Sequence, residues 1–296
     1  MVFLADTQQP MWVETILLKR NNNKTATAGI FAEILRRKPG SLYMLGDVVA
    51  LGYSNKQWKN VDLFLDSCRK LGTHVSGILG NHEIMGRRKK GERNFDKRFP
   101  LNVRTGYFSV TDSVAVILLN SNFRSLSVTE KERQKNWYEA MLESLDETDS
   151  IKAVIVTCHH APYSNSKVVK GSNSVQEYFI PAYLKSKKAQ LFITGHAHAF
   201  ERFSYKGKDF IVIGGGGGLH QPLNKSASGI PDLANDYKPM FHYLSVQRFD
   251  DKLLVTSHYL KENFLSFEVG HTFQTKSHSE NLATAPTEAE TESKIN

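Results

Sequence analysis

Short apolar runs alternate with amphipathic segments through the first two-thirds of the chain. Three of these runs are typical of buried strands: "MVFLA" (1–5), "SLYML" (41–45) and "HVSGIL" (74–79). Between the first two, residues 24–37 predict a helix that Lys38-Pro39 ends. A second helix, which we expect Asn55 to cap, places five side chains on one face: Trp58, Val61, Leu65, Cys68 and Leu71.

The middle of the chain continues this alternation. "GYFSV" (106–110) and "VAVILLN" (114–120), joined across three polar residues, predict a hairpin. The capping box "SVTE" (127–130) predicts the start of a helix that presents Trp137, Met141 and Leu145. Three elements then follow in order: strand "AVIVTC" (153–158), a helix around residues 175–185, and strand "QLFIT" (190–194).

After Tyr205 the pattern becomes a run of strands. They are "DFIVI" (209–213), "FHYLSVQRF" (241–249), "KLLVTSHYL" (252–260) and "NFLSFEV" (263–269). An α/β portion followed by strands predicts an α/β fold with two packed mixed β-sheets flanked by helices, over residues 1–276. Residues 277–296 are rich in Thr, Glu and Ala and almost lack apolar residues, so we predict a disordered polar tail.

Composition narrows the class of protein. The 296 residues are 40% hydrophobic and 23% charged, which is ordinary for a globular protein, and no apolar run is long enough for a membrane span. Cys68 and Cys158 both lie on apolar faces, so we expect buried thiols. Because no signal peptide is visible, the cytoplasm is the default localisation. We leave the localisation open, however, because the sequence starts almost inside a predicted strand and upstream residues could be missing.

The positive charge is unevenly distributed. Of the formal +8, a large part comes from eight Lys or Arg residues between Ile84 and Arg104, against Glu92 and Asp96. A solvated loop is one interpretation, and a local positive field that attracts anionic substrates is the other. Because aromatic residues do not alternate with these cations, nucleic acid is only a minor alternative.

Polar residues follow five of the predicted strands at the point where each strand ends. The clusters are Asp6 and Gln8, Asp47, Asn81-His82-Glu83, His159-His160, and His196 with His198. Since the carboxyl ends of parallel strands share one edge of a sheet, these clusters are expected to be neighbours. Carboxylates, an amide and imidazoles without a thiolate form a set of nitrogen and oxygen donors. Their number predicts two metal ions that share a carboxylate.

The order and wording of these clusters resemble the calcineurin-like metallophosphoesterases, and most closely their purple acid phosphatase branch. The matching blocks are "ADTQ", "LGDVVALG", "GNHE", "HHAPYSNS" and "GHAHAFER". The resemblance covers roughly residues 2–204, and also the strand exit "IGGGGG" at 213–218. It implies a sandwich of two sheets between helical layers and hydrolysis of phosphate esters by a hydroxide held between two divalent ions of manganese, iron or zinc.

The resemblance also implies a role for each matching residue. Asp47 would bridge the two ions and act in catalysis. The first ion would take Asp6 and His198, and the second would take Asn81, His159 and His196. His82 would bind no metal but would face the phosphoryl group, where it could stabilise charge or protonate the leaving oxygen. His160 and Glu201 would lie behind the ligands or touch the substrate.

Two positions depart from the family pattern. Purple acid phosphatases carry a tyrosine three residues after the bridging aspartate, where its phenolate binds ferric iron and gives the purple colour; here the position is Ala50. Tyr53 lies three residues further on and is expected to be a packing residue. The broader family has a histidine where this chain has Gln8, whose amide oxygen could bind an ion weakly or hold a bound water.

The leading hypothesis is a phosphomonoesterase of the acid phosphatase type, acting on small phosphate esters. A phosphodiesterase or a nuclease could use the same site, with the ester preference set by loops such as residues 86–104 and 164–176. A protein that binds metal or phosphate without turnover is the alternative from another class. The oligomeric state is not indicated by the sequence.

Overall fold

Strands and helices alternate along the chain in this computed structural model, which describes residues 1–16, 18–224 and 227–277. The strands are β1 Val2–Leu4, β2 Ser41–Met44, β3 His74–Gly77, β4 Tyr107–Thr111, β5 Val114–Leu119, β6 Ala153–Cys158, β7 Ala189–Thr194, β8 Phe200–Tyr205, β9 Lys208–Ile213, β10 His242–Phe249, β11 Lys252–Leu260 and β12 Phe267–Gln274. The helices are α1 Asn23–Arg37, α2 Asn55–Lys70, α3 Asn81–Ile84, α4 Arg88–Asp96, α5 Val128–Glu147, α6 Asn173–Tyr178 and α7 Ile180–Lys185, with short 3₁₀ turns at Glu14–Ile16 and Phe123–Ser125.

The strands form two mixed sheets of six strands each. The first has the order β12-β11-β10-β1-β2-β3, and the second has the order β4-β5-β6-β7-β9-β8. Strands β1 to β3 run parallel in the first sheet, as do β5, β6, β7 and β9 in the second, while the remaining neighbours are antiparallel. The prediction of two packed mixed sheets flanked by helices is confirmed.

Three apolar cores hold the layers together. Side chains from both sheets, such as Phe3 and Ile155, fill the space between the sheets. Helices α1 and α2 cover the outer face of the first sheet, where Ile30 and Trp58 pack among strand residues. Helices α5, α6 and α7 cover the outer face of the second sheet. The layers therefore run helix, sheet, sheet, helix, as alternating side chains on each strand require.

Several local predictions are confirmed. The β4–β5 hairpin forms as predicted, and Ser127 and Glu130 make the reciprocal contacts of the capping box at the start of α5. Cys68 and Cys158 are buried free thiols. None of the helices in the described residues has the length and apolar character that crossing a membrane would require.

Other local predictions are wrong. Asn55 is the first residue of α2 rather than its cap, and Leu71 is exposed just beyond the helix. The helix predicted around residues 175–185 is divided into α6 and α7, because Pro181 has no N–H to donate and begins a new helix. Strand β8 was not predicted, since the charged pair Glu201-Arg202 interrupts its apolar pattern.

Two further segments differ from the sequence interpretation. The basic segment, for which a solvated loop was one interpretation, contains helix α4, whose buried face is formed by Gly91, Asn94 and Phe95. Strand β12 begins at Phe267 instead of Asn263, because Asn263 turns the chain by accepting a hydrogen bond from the N–H of Leu265. Except for Ser277, the tail predicted to be disordered at 277–296 lies outside the described residues.

Candidate metal centre

The backbone turns sharply at the carboxyl ends of the strands that carry the polar clusters. Asp6, Asp47 and His196 have φ values of 59°, 49° and 67°, in the left-handed region that side chains other than glycine rarely adopt. Gly80 leaves room for the Asp47 carboxylate, since a Cβ there would lie 2.1 Å from Asp47 Oδ1. These strained turns aim the polar side chains at a common point.

Asp47 lies at the centre of the cluster and is buried. Its Oδ1 accepts a hydrogen bond from the backbone N–H of His82 at 2.8 Å, and its Oδ2 lies 3.1 Å from His159 Nε2. Burial alone would raise the pKa of Asp47, but the charges of His159 and then His82 hold that pKa far below its usual value. Asp47 is therefore an anionic carboxylate whose Oδ2 faces the imidazoles.

One set of donors lies around His159. Asn81 Oδ1 is 3.2 Å from His159 Nε2, and the ring centroids of His159 and His196 are 5.1 Å apart. Burial, followed by the neighbouring charge of His160, lowers the pKa of His196 well below its usual value, so this imidazole is neutral. Asn81, His159 and His196 are thus brought together as predicted for one ion.

A second set of donors lies around Asp6. The Oδ2 atom of Asp6 accepts a hydrogen bond from the backbone N–H of His196, and its Oδ1 is 3.5 Å from His198 Nε2. The hydrogen-bonding neighbours of Gln8 assign its amide nitrogen to the side of the carbonyl oxygens of Asp6 and Asp47, and with this assignment its oxygen lies 3.2 Å from His198 Nε2. A carboxylate oxygen, an amide oxygen and an imidazole nitrogen therefore converge.

The donor atoms of these residues are of the kinds that bind metal ions. Asp6 Oδ1 is buried and finds no hydrogen-bond partner among the described residues, which is costly for a carboxylate oxygen without a cation. One donor atom from each of Asp6, Asp47 and His159 lies within 4.8 Å of the others. Nitrogen and oxygen donors without sulfur suit divalent manganese, iron or zinc.

Backbone carbonyls fix the tautomers of the histidines. His159 Nδ1 lies 2.9 Å from Leu45 O, and His198 Nδ1 lies 2.8 Å from Leu219 O. A carbonyl only accepts, so each Nδ1–H donates and each Nε2 is directed at the carboxylates. Outer contacts of this kind orient histidines that bind metal.

His82 lies beside the cluster and is held by its backbone neighbours. Its Nδ1–H donates to Ala50 O at 2.9 Å, and its Nε2 lies 3.8 Å from Asp47 Oδ2. The longer distance keeps His82 outside the closest donor group. Its Nε2 faces the space in front of Asp47, where the resemblance places the phosphoryl group.

Glu83 is a site residue that the sequence interpretation did not single out. Its buried carboxylate accepts hydrogen bonds from four backbone N–H groups, those of Asp47, Val48, Val49 and Gly80. Burial and the neighbouring Asp47 charge raise the pKa of Glu83 to about 7. Glu83 ties the turn after β2 to the turn after β3. The sequence signal that could have identified Glu83 is the motif "GNHE", of which it is the last residue.

His160 and Glu201, which we expected behind the ligands or against the substrate, lie in different surroundings from each other. His160 follows His159, its ring lies 4.4 Å from that of His196 between centroids, and its Nδ1 lies 2.8 Å from Ser121 Oγ. Glu201 is fully buried, and its carboxylate accepts hydrogen bonds from Ser164 Oγ and the backbone N–H of Asn165, both at 2.7 Å. In this arrangement Glu201 holds the loop that follows β6.

The two departures from the family pattern have clear structural positions. The methyl group of Ala50 offers no ligand, although its carbonyl orients His82. The ring of Tyr53 packs against Gly86, with the guanidinium of Arg87 5.8 Å from its centroid. Tyr53 is thus engaged in packing at the start of α4.

Comparisons with known proteins place the chain in a family. The model of the calcineurin-like phosphoesterase family matches residues 1–200. No curated protein matches the chain in sequence.

Solved structures share the fold at low sequence identity. Purple acid phosphatase PPD1 from yellow lupin (Lupinus luteus) has a TM-score of 0.67 at 16% identity, over 97% of this chain and 56% of the lupin chain. GAP50, described as the anchor in the inner membrane complex of Plasmodium, has a TM-score of 0.65 at 17% identity, over 97% of this chain and 94% of its own. A dimetal phosphatase from Danio rerio has a TM-score of 0.54 at 14% identity, over 90% of this chain and 97% of its own.

The chain thus spans just over half of the lupin phosphatase, and these likenesses concern the fold. The family match covers about two-thirds of the sequence and ends at Phe200, so it includes every donor described above. The chain belongs to the calcineurin-like phosphoesterase family.

Proposed function

We propose that the protein hydrolyses small phosphate monoesters with the help of two divalent metal ions that share Asp47. One observation carries this proposal: the buried carboxylate of Asp47 lies within 4.8 Å of donor atoms of both Asp6 and His159, and each of these two residues has further nitrogen or oxygen donors beside it. Asp6, Gln8 and His198 would hold the first ion. Asn81, His159 and His196 would hold the second.

The bound ions, His82 and Glu83 would each contribute differently to the reaction. When bound, two divalent ions supply Lewis-acid stabilisation of phosphoryl oxygens and lower the pKa of the attacking water. His82 positions its Nε2 towards the substrate because Ala50 O holds the opposite nitrogen. A proton on that Nε2 would be given to the leaving oxygen or would stabilise charge on the phosphoryl group. Glu83 fixes the turns that carry Asp47 and His82.

The basic helix α4 gives a reason to retain phosphodiesters and nucleic acids as a second class of substrate. Its exposed residues include Lys89, Lys90 and Arg93, and it begins four residues after α3. Cleavage of DNA or RNA that weakens steeply with added salt would support a nuclease. Salt-insensitive hydrolysis of small esters alone would contradict it.

A binding role without turnover is the alternative from another class. GAP50 shares the fold and is described as an anchor, so the fold alone does not decide between the two. Seven residues of the family pattern are present in this chain: Asp6, Asp47, Asn81, His82, His159, His196 and His198. A protein that bound metal without turnover would still use the six donors, but it would have no need of His82 beside them, and this favours turnover.

A direct experiment tests the proposed activity. The full chain, stripped with a chelator and reloaded with manganese, iron or zinc, is assayed on p-nitrophenyl phosphate and on its bis ester. We expect faster hydrolysis of the monoester. We also expect Asp47→Asn to abolish turnover, because among the described residues Asp47 is the carboxylate proposed to bridge the two donor groups.

His74→Ala is the matched control. It removes one imidazole from the opposite, amino-terminal end of β3, where His74 is exposed, and it should retain the activity of the parent. Metal-loaded parent protein without activity on either ester would refute the proposal. Turnover by Asp47→Asn equal to that of the parent would remove Asp47 from the bridging position.

A further inference from the structure

Three imidazoles, rather than two, converge on the side of the centre next to β6 and β7. One ring nitrogen from each of His159, His160 and His196 lies within 4.8 Å of the others. The His160 ring centroid is 4.4 Å from that of His196 and 5.0 Å from that of His159. The His160 ring is therefore at least as close to the His196 ring as the His159 ring is. The proposed ligand sets nevertheless assign His160 to neither ion.

Ser121 holds His160 in this orientation. Its Oγ accepts a hydrogen bond from the backbone N–H of His160 at 2.9 Å and lies 2.8 Å from His160 Nδ1. Ser121 follows β5, the strand next to β6, so the contact joins two neighbouring strand ends. Because Nδ1 is engaged, Nε2 remains for another partner. Leu45 O and Leu219 O orient His159 and His198 through Nδ1 in the same way.

We propose that His160 is an additional ligand of the ion assigned to Asn81, His159 and His196, and that Ser121 orients it for this role. Two ligands of a tetrahedral ion, each about 2.1 Å from the metal, lie about 3.4 Å apart. The three nitrogens lie within 4.8 Å of one another. Side-chain rotations that shorten these distances by up to about 1.4 Å would let them share an ion. This inference rests on the proposed two-ion function and assigns one more residue to the centre.

The extra ligand makes the two ions unequal. The ion at Asp6 has two carboxylates, one imidazole and the weakly donating amide of Gln8. The ion at His159 gains a third imidazole in addition to Asn81 and Asp47. Since imidazole suits iron and zinc better than a neutral amide does, an iron or zinc ion at His159 should be retained longer during chelation.

The test measures metal binding directly. The full chain is stripped of metal and titrated calorimetrically with Zn²⁺, and the absorption spectrum of bound Co²⁺ is recorded because it reports the number and geometry of the ligands. The variants are His160→Ala, His160→Gln and Ser121→Ala, with His74→Ala as the control. Thermal unfolding shows which variants are folded, and His160→Gln keeps a polar side chain if the alanine variant does not fold.

We expect the parent and His74→Ala to bind two ions with unequal affinity. The His160 variants should weaken the tighter site by at least about 10-fold, and Ser121→Ala should weaken it by about 10–100-fold, as orienting residues do. The Co²⁺ spectrum of the tighter site should change in the His160 variants.

A folded His160 variant that binds both ions like the parent, with an unchanged Co²⁺ spectrum, would overturn the inference. A parent that binds fewer than two ions would also overturn it. If the His160 variants lose affinity but the parent hydrolyses no phosphate ester, the ligand role stands and the proposed function fails.

Discussion

His82 illustrates how backbone contacts define a role at the scale of one residue. Its Nδ1 is held by Ala50 O and its backbone N–H by Asp47, so its ring cannot turn away from the centre. His82 Nε2 is nevertheless 3.8 Å from Asp47 Oδ2, further than His159 Nε2 at 3.1 Å. This geometry favours a residue that acts on the substrate over one that holds an ion.

His82→Ala should therefore separate turnover from metal binding. We expect the variant to keep two ions per chain while kcat falls by about 10²–10⁴-fold, the usual range for a positioned acid–base group. Metal content by elemental analysis and kcat on p-nitrophenyl phosphate are the two measurements. Loss of an ion from the variant would instead make His82 a ligand.

Ala50 leads to a prediction about colour. A tyrosinate bound to ferric iron would absorb strongly in the visible, but Ala50 has no phenolate and Tyr53 packs against Gly86. We expect the oxidised, iron-loaded protein to lack such a band. An absorption scan of the parent and of Tyr53→Phe provides the measurement. A strong band in the parent that disappears in Tyr53→Phe would show that Tyr53 reaches the metal.

The clustering of the residues proposed to carry chemistry could be predicted from the sequence because each follows an apolar strand within a short motif. Asp6, Asp47, His159 and His196 all lie in the cluster as predicted. Their supports could not be predicted in the same way. Leu45 and Ser121 orient histidines more than thirty residues away, and an apolar residue that acts through its carbonyl leaves no signal in its side chain.

At the scale of elements, helix α4 is packed on the motif turn through a glycine. A Cβ on Gly91 would lie 1.9 Å from the backbone oxygen of Glu83, and Asn94 donates a hydrogen bond to Gly52 O from the same helix face. The position of α4 is therefore linked to Glu83, and through Glu83 to the turn that carries Asp47.

Gly91→Ala and Gly29→Ala should have opposite effects on stability. In α1, a Cβ on Gly29 would meet only Leu260 Cδ1, at 4.0 Å, so alanine there should stabilise the protein by about 0.5–1 kcal/mol. In α4, alanine at Gly91 must displace backbone, and we expect a destabilisation of about 1–3 kcal/mol. Urea unfolding of both variants measures the difference.

Turnover provides a second measurement on the same pair. Gly91→Ala should lower kcat because it pushes the Glu83 turn, whereas Gly29→Ala should leave kcat unchanged. If Gly91→Ala were as stable and active as the parent, the close packing of α4 on Glu83 would be wrong.

Elements were predictable where one pattern dominated. Strands β5 and β6 are continuous apolar runs and were predicted at their positions along the chain, whereas the order of the strands within each sheet was not predicted. Strand β8 was missed because it carries two charged residues: Glu201 is buried against Ser164 from a distant part of the chain, and Arg202 is half-buried against Asp209 of the neighbouring strand β9. Helix α4 was missed because charge dominates its exposed face, and its buried face is short.

At the scale of the whole molecule, the donor groups come from both sheets. Asp6, Asp47 and Asn81 follow β1, β2 and β3 of the first sheet, while His159 and His196 follow β6 and β7 of the second. Direct contacts already join the sheets here, since Asp6 Oδ2 accepts from the N–H of His196. Ions bound between these groups would link the two sheets at the same edge.

Metal removal should therefore lower the stability of the entire fold. A ligand that binds only the native state adds about 2.7 kcal/mol of stability at a free concentration 100 times its Kd. The carboxylates of Asp6 and Asp47 are buried, so the folded chain also loses the charge that balances them. We expect the Tm of the parent in Mn²⁺ to exceed its Tm in chelator by several degrees.

The variant Asp47→Asn identifies the origin of that difference. Without the bridging carboxylate the native state should bind ions weakly, so the Tm of Asp47→Asn should change little between Mn²⁺ and chelator. His74→Ala should keep the full difference of the parent, because His74 lies at the far end of β3. Calorimetric scans of the three proteins in both conditions make the comparison. An equal gain in Tm for Asp47→Asn would place the stabilising ions elsewhere on the surface and would separate metal binding from the joining of the two sheets.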